Sequence, residues 1–167
     1  TVGGVSFDEK DVNSLKRITE LDYVVPIFMK GTSLEAGGEK KYGNILGINE
    51  DGFKLMNIEA DAGELFNKSD IQASSKVGVL GSVIAENLFN TPENAIGKTV
   101  RFEDTRFKVV GVAKKKGDQE PDNAFFIPYK TTYGSINPDK TFWAIYLGVK
   151  SDDMVSIAKT KAEDVLL

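Results

Sequence analysis

Cysteine and histidine are both missing from the 167 residues. Their absence removes thiol nucleophiles, the imidazole base of most nucleophilic triads, zinc sites built on nitrogen or sulfur, and iron–sulfur ligation. Carboxylate, lysine, tyrosine and serine chemistry remain. A cysteine-free domain suits either side of a bacterial membrane, so this absence assigns no compartment. The chain also lacks an apolar run of the roughly 20 residues that cross a bilayer, because Gly, Asn or charge interrupts every candidate. Positive charge is in deficit, with 21 Lys and Arg against 25 Asp and Glu and a net charge of −4. Phosphate backbones are bound by a clustered positive face, so this balance argues against nucleic acid as a partner. No signal peptide, internal repeat or low-complexity segment is visible. The first residue is Thr1 rather than Met, as expected of an excised or processed piece.

What is present is a chain of ordinary one-domain size, 41% hydrophobic, able to bury one or two small cores. Its densest pattern lies at residues 76–128. Val77, Val79 and Leu80 form a short apolar strand ending at Gly81, and Ser82 occupies the position of a helix N-cap. Val83, Ile84, Leu88 and Phe89 follow at helical spacing, with Asn90, Thr91 and Pro92 as the stop. Residues 99–102 and 106–113 read as a hairpin around Glu103, Asp104 and Thr105, because Val100, Phe102, Phe107 and Val109 alternate with polar neighbours. A third strand at 124–127 ends on Pro128.

Around this stretch, Ser6 and Glu9 fit a capping box opening a helix over 8–19, with Val12, Leu15 and Ile18 on one face. Residues 23–29 are a β-rich run whose Pro26 suggests an edge or bulge, and 31–39 a loop. A strand at 42–48 and a short helix at 53–56 come next. After Pro128, residues 129–133 make one helical turn and 135–140 a loop. Residues 141–149 alternate with apolar side chains on both faces, which predicts a central strand covered on both sides. Ser151 caps a last helix whose buried stripe is Met154, Ile157, Ala158 and Val165. The apolar end Val165, Leu166 and Leu167 lacks a capping Gly or Asn and suits a chain that continues. The first helix and strands are too few to stand alone, so they are expected to pair with the far end of the chain. The result is an α+β fold in which a discontinuous α/β sandwich, 1–70 plus 139–167, is interrupted by a mostly β insert, 71–138.

The order of pieces resembles the extracytoplasmic core domain of MacB-type permeases, a branch of the ABC transporters that includes the FtsX and LolC/LolE proteins. The resemblance is carried by Leu80-Gly81 after an apolar strand, Asn87-Leu88-Phe89 closing a helix, Ile96-Gly97-Lys98, the run Phe107-Lys108-Val109-Val110-Gly111-Val112, a lysine-rich turn, and Phe126-Ile127-Pro128. It implies that the two parts correspond to the halves called porter (1–70 plus 139–167) and sabre (71–138). It also implies an extracytoplasmic domain held between transmembrane helices of the same protein and forming a homodimer in the intact permease. The domain itself would carry no cofactor, ATP being used by a separate cytoplasmic nucleotide-binding domain. An adaptor or membrane-fusion protein is an implied partner. Where family members tend to carry a Gly-Arg pair before an acidic residue, this chain has Gly63-Glu64, with Asp70 beyond.

The residues themselves nominate few sites. Gly78-Val79-Leu80-Gly81-Ser82 sits at a strand-to-helix turn where free amides could receive an anion, yet its spacing matches neither GxGxxG nor the Walker motif. Asp8, Glu9 and Asp11, or Glu59, Asp61 and Glu64, could serve a carboxylate-dependent hydrolase, although acids in a first helical turn are more simply dipole partners. Phe142, Trp143 and Tyr146 could line a pocket for lipid, lipoprotein or peptide, or be core. The turn Glu103, Asp104, Thr105 and the basic run Lys114, Lys115, Lys116 are candidate partner contacts. Their plainer readings are a hairpin turn and a solvated strand end that discourages aggregation.

Overall fold

In the computed structural model, which describes residues 6–166, the eight strands are β1 (Leu21–Ala36), β2 (Glu39–Ile48), β3 (Ala60–Gly63), β4 (Val77–Leu80), β5 (Thr99–Phe102), β6 (Thr105–Ala113), β7 (Ala124–Pro128) and β8 (Ala144–Val149). The helices are α1 (Glu9–Leu15), α2 (Asp51–Leu55), α3 (Lys68–Gln72), α4 (Ser82–Phe89), α5 (Pro92–Ala95), α6 (Gln119–Asp122) and α7 (Val155–Leu166), with 3₁₀ turns at Tyr129–Thr132 and Asp152–Met154. The fold is α+β. Residues 1–5 and Leu167 lie outside the described range.

β1 organises the rest. Its first half, residues 21–27, pairs antiparallel with β8, and its second half, 28–36, pairs antiparallel with β2. From β2 the ladder runs through β7, β4, β6 and β5 and returns to β1 at Glu35↔Arg101. Six strands thus close a ring, and closure leaves no free edge within it. Hydrogen bonding therefore crosses the line drawn at 70/71, since half of β1 and all of β2 are needed to complete the ring. The two ends of the chain meet as expected: β8 lies on β1, and α7 packs beside α1.

Two cores lie on opposite sides of β7, all five of whose residues are buried. Phe125 and Ile127 point into the ring with Leu34, Leu80, Val100, Phe102, Phe107 and Val109, and α4 contributes Ile84, Ala85 and Leu88. Ala124 and Phe126 point the other way, to Val12, Leu15, Val25, Ile48, Phe53, Phe66 and Phe142. Phe102 and Phe107 stack at 4.7 Å with Phe125 edge-on to both, an arrangement that adds to simple area burial. Val109 and Val112 both reach the ring core despite their odd separation. The extra residue Val110, opposite the Gly78 to Val79 step of β4, resets the alternation.

Several expected details differ. Asp8, not Ser6, caps α1: its carboxylate accepts from Lys10 N and Asp11 N, and Asp11 accepts from Asp8 N. That helix stops at Leu15 rather than 19. Ser82 is the first residue of α4, and Gly81 is its N-cap because the Pro121 and Asp122 carbonyls press where a Cβ would stand. Residues 31–36, expected as loop, continue β1, since register with β2 holds them until Gly37 and Gly38 turn the chain. α3 was not foreseen. β8 begins at Ala144 and is not central. Among the described residues it pairs only with β1, and Tyr146 on it and Trp143 just before it are 45% and 57% exposed; the strand covered on both faces is β7. In α7 the buried residues are Ala158 and Ala162, whereas Ile157 and Val165 are about half exposed.

A Cβ on Gly111 would press into the Glu64 carbonyl oxygen, and backbone cannot move aside as a side chain can. Gly111→Ala should destabilise by about 1–3 kcal/mol in urea unfolding, within the range for overpacked cores. Gly97→Ala faces open space but a φ of +82°, and should cost about 1 kcal/mol.

Candidate functional site

Several polar and aromatic contacts tie the ring to the terminal lobe. Asn49, at the end of β2, donates from Nδ2 to Val24 O at 2.8 Å, tying the exit of β2 to the first half of β1. Its burial makes that bond worth more than a surface one, because the amide would otherwise lose water without replacement. Tyr133 Oη donates to Glu9 Oε1 at 3.0 Å, joining the turn after β7 to α1 across 124 residues of sequence. Tyr129 meets Tyr133 and Phe142 edge-on at 6.1 and 5.4 Å, and the Lys140 ammonium lies 5.5 Å from the Tyr133 ring centre. Lys161 on α7 pairs with Glu20 at 2.9 Å, holding the Glu20 carboxyl below its ordinary range. Burial, with the Glu9 carboxylate alongside, pushes both Tyr129 and Tyr133 far above the usual tyrosine range. These phenols are held as neutral packing groups, with Tyr133 donating to a carboxylate.

The candidate residues from sequence do not converge. Glu103 and Asp104 form the two-residue turn of the β5–β6 hairpin, with φ of 49° and 58°, and Glu103 is engaged by Lys30 at 2.9 Å. Thr105 Oγ1 donates to the Glu103 carbonyl. Lys114, Lys115 and Lys116 follow the other end of β6, roughly 25–30 Å away at ~3.3 Å per strand residue. Lys114 pairs with Glu59 at 3.1 Å, and Lys116 Nζ donates to the Asn57 carbonyl at 2.9 Å. The Lys116 and Gly117 amides donate to the buried Asp122 carboxylate. Lys115 is exposed. The basic run therefore anchors a loop as well as facing solvent.

The other nominations resolve similarly. At the Gly78–Ser82 turn the α6 backbone fills the space in front of Gly81, whose own amide donates to Ala124 O. Asp8 and Asp11 are spent on the α1 cap, and Glu9 on Tyr133. Among the described residues no group of three or more Asp and Glu is placed to hold a metal ion. Phe142 is core, while Trp143 faces solvent. Apolar concavities do occur, one of about 340 Å³ between β8 and α7 against Leu147, Val149 and Ala158. Among the described residues no helix is long and apolar enough to cross a membrane.

The model of the MacB-like periplasmic core domain matches residues 2–164. The chain belongs to that family. The MacB macrolide export ATP-binding/permease protein of Campylobacter jejuni is 32% identical over 126 residues, covering 72% of this chain and 19% of that protein. The PvdT pyoverdine export ATP-binding/permease protein of Pseudomonas aeruginosa is 30% identical, covering 83% and 22%. This MacB-like chain thus spans about a fifth of the curated relatives it matches. Among solved structures, the periplasmic region of MacB from Actinobacillus actinomycetemcomitans superposes with a TM-score of 0.87 at 25% identity, over 98% of this chain and 74% of that one. The extracellular domain of the YknZ transporter from Gram-positive bacteria shares the fold, with a TM-score of 0.87 at 21% identity over 98% and 84%.

At Gly63, where the resemblance leads one to expect a Gly-Arg pair, the backbone accounts for the glycine. Gly63 has a φ of +65°, and a Cβ there would strike the Val110 carbonyl, so the backbone demands glycine. Glu64 in the next place is exposed and donates its amide to Val110 O at 3.0 Å.

The raised phenols set a pH signature. Below pH about 10 the phenols hold their protons in both folded and unfolded chains. Above it the unfolded chain releases protons that the folded one retains, so stability falls as pH rises. Urea midpoints should drop beyond pH about 10, and Tyr133→Phe should flatten that alkaline decline.

Proposed function

We propose that this chain is a non-catalytic extracytoplasmic domain of an ABC permease that transmits ATP-driven motion to exported substrate or to a partner protein. Membership in the MacB-like family supports the setting, and the single observation that supports the mechanical part is β1. One continuous strand of 16 residues belongs first to the terminal lobe and then to the closed ring. A displacement at one end of such a strand is carried to the other through main-chain bonds, and rigid-body switching needs stiff elements more than reactive groups. The porter-like part (1–70 plus 139–167) and the sabre-like part (71–138) then share one ladder through β1 and β2. ATP is hydrolysed by a separate cytoplasmic nucleotide-binding domain, the intact permease is a homodimer, and an adaptor or membrane-fusion protein receives the motion. Macrolide and pyoverdine, named for the relatives, are the first substrates to try.

A two-glycine insertion between Ile27 and Phe28, where β1 changes partner, tests this in the parent permease. ATP hydrolysis should continue while macrolide or pyoverdine export falls to background. The same insertion at the Gly37–Gly38 turn should leave both intact. Export that survives the 27/28 insertion in a folded protein would sink the lever reading.

A further inference from the structure

Across the outer wall of the ring, the strand registers set four charged side chains in one row. Lys40 on β2 lies opposite Glu35 on β1, Glu35 opposite Arg101 on β5, and Arg101 opposite Arg106 on β6. Lys108, two residues on and also exposed, extends the wall opposite Thr99. This face therefore carries four cations and one carboxylate in a chain whose net charge is −4. Glu35 takes one guanidinium, accepting from Arg101 Nη2 at 3.0 Å. Arg106, Lys40 and Lys108 make no ion pair among the described residues. Glu35 offsets Arg101, whereas Arg106, directly opposite on the next strand, has no carboxylate partner among the described residues, and a further anion at this point would relieve the like-charge contact between the two guanidinium groups. Between them lies an open concavity of about 240 Å³ bordered by Glu35, Thr99, Arg101 and Arg106, beside the Gly37 turn. Two planar guanidinium groups and a hydroxyl around one hollow suit carboxylates, which they can hold in bidentate fashion.

The geometry points to this wall as the docking surface for an acidic, carboxylate-bearing segment of a partner protein. Its borders favour a narrow segment over an anionic bilayer. Carboxylates flank the row at both hairpin tips, Glu39 beside the Gly37–Gly38 turn and Glu103 with Asp104 at the β5–β6 turn. Glu103 is held by Lys30 and Glu39 lies 4.0 Å from Lys41, so the open cations are confined to a row across four strands, about 15 Å at ~4.8 Å per strand, a length that one extended segment covers and a bilayer far exceeds. The inference does not depend on the lever reading, since a domain that transmitted no motion would carry the same wall.

Fluorescence anisotropy of a labelled hexa-glutamate peptide, at an ionic strength of about 10 mM where screening is weak, tests it on this chain. Saturable binding is expected, with hexa-glutamine not bound and phosphatidylglycerol vesicles failing to displace the acidic peptide. Arg106→Gln should weaken binding about tenfold, the loss of one charge-assisted contact. Glu35→Gln should tighten it, because the competing carboxylate is gone. Lys114→Gln, at the other end of β6, should leave it unchanged and serves with circular dichroism as the folding control. No saturable binding, an affinity indifferent to Arg106→Gln, or stronger capture by the vesicles would overturn the proposal.

Discussion

The antiparallel pairing of β1 with two different strands is the constraint from which the rest follows. A strand and a helix at each end of the chain cannot make an independent sheet, and a two-stranded ribbon is marginal in water. Here β8 gains its stability by lying on the first half of a strand whose second half is fixed in a closed ring. The terminal lobe is thus a dependent of the ring, and the covalent continuity of β1 joins the two. Asn49 and the Tyr133–Glu9 bond reinforce the same seam from β2 and from the turn after β7.

Much of this was legible in the residues, and the misses have physical causes. The run from Val77 to Pro128 could be read as strand, helix, hairpin and strand because Val100, Phe102, Phe107 and Val109 alternate with polar neighbours and its stops, Asn90 and Pro92, are strong. The pairing of the two chain ends followed from counting elements. The length of β1 did not, since Gly31, Thr32 and Ser33 look like loop residues and only register with β2 makes them strand. β8 was expected at the centre because both its faces are apolar in sequence, but pattern cannot say how many neighbours a strand has. The truly central strand, β7, is only five residues long and announces itself merely as Ala-Phe-Phe-Ile-Pro.

The candidate surfaces show the same division. Single residues such as Glu103 or Lys114 could be nominated from sequence as charged and exposed. Which of them are already engaged could not be nominated, because Lys30 and Glu59 approach from strands or loops distant in the chain. The Lys40, Glu35, Arg101, Arg106 row was invisible for a related reason. Its members come from four strands, and only the ring's closure at Glu35↔Arg101 brings two halves of the row together.

A ring with its interior filled by Phe102, Phe107 and Phe125 has little room to store or bind anything, and such close packing resists gradual deformation. Such packing is what the proposed lever requires of the ring. Of the acids nominated from sequence, Asp8 and Asp11 cap α1, Glu9 accepts from Tyr133 and Glu59 pairs with Lys114, and the buried Asp122, not nominated, holds a loop. Each of those bonds removes a degree of freedom at a joint between elements. On the outer wall, by contrast, Lys40, Arg106 and Lys108 make no ion pair among the described residues, which is why the proposed docking is placed there.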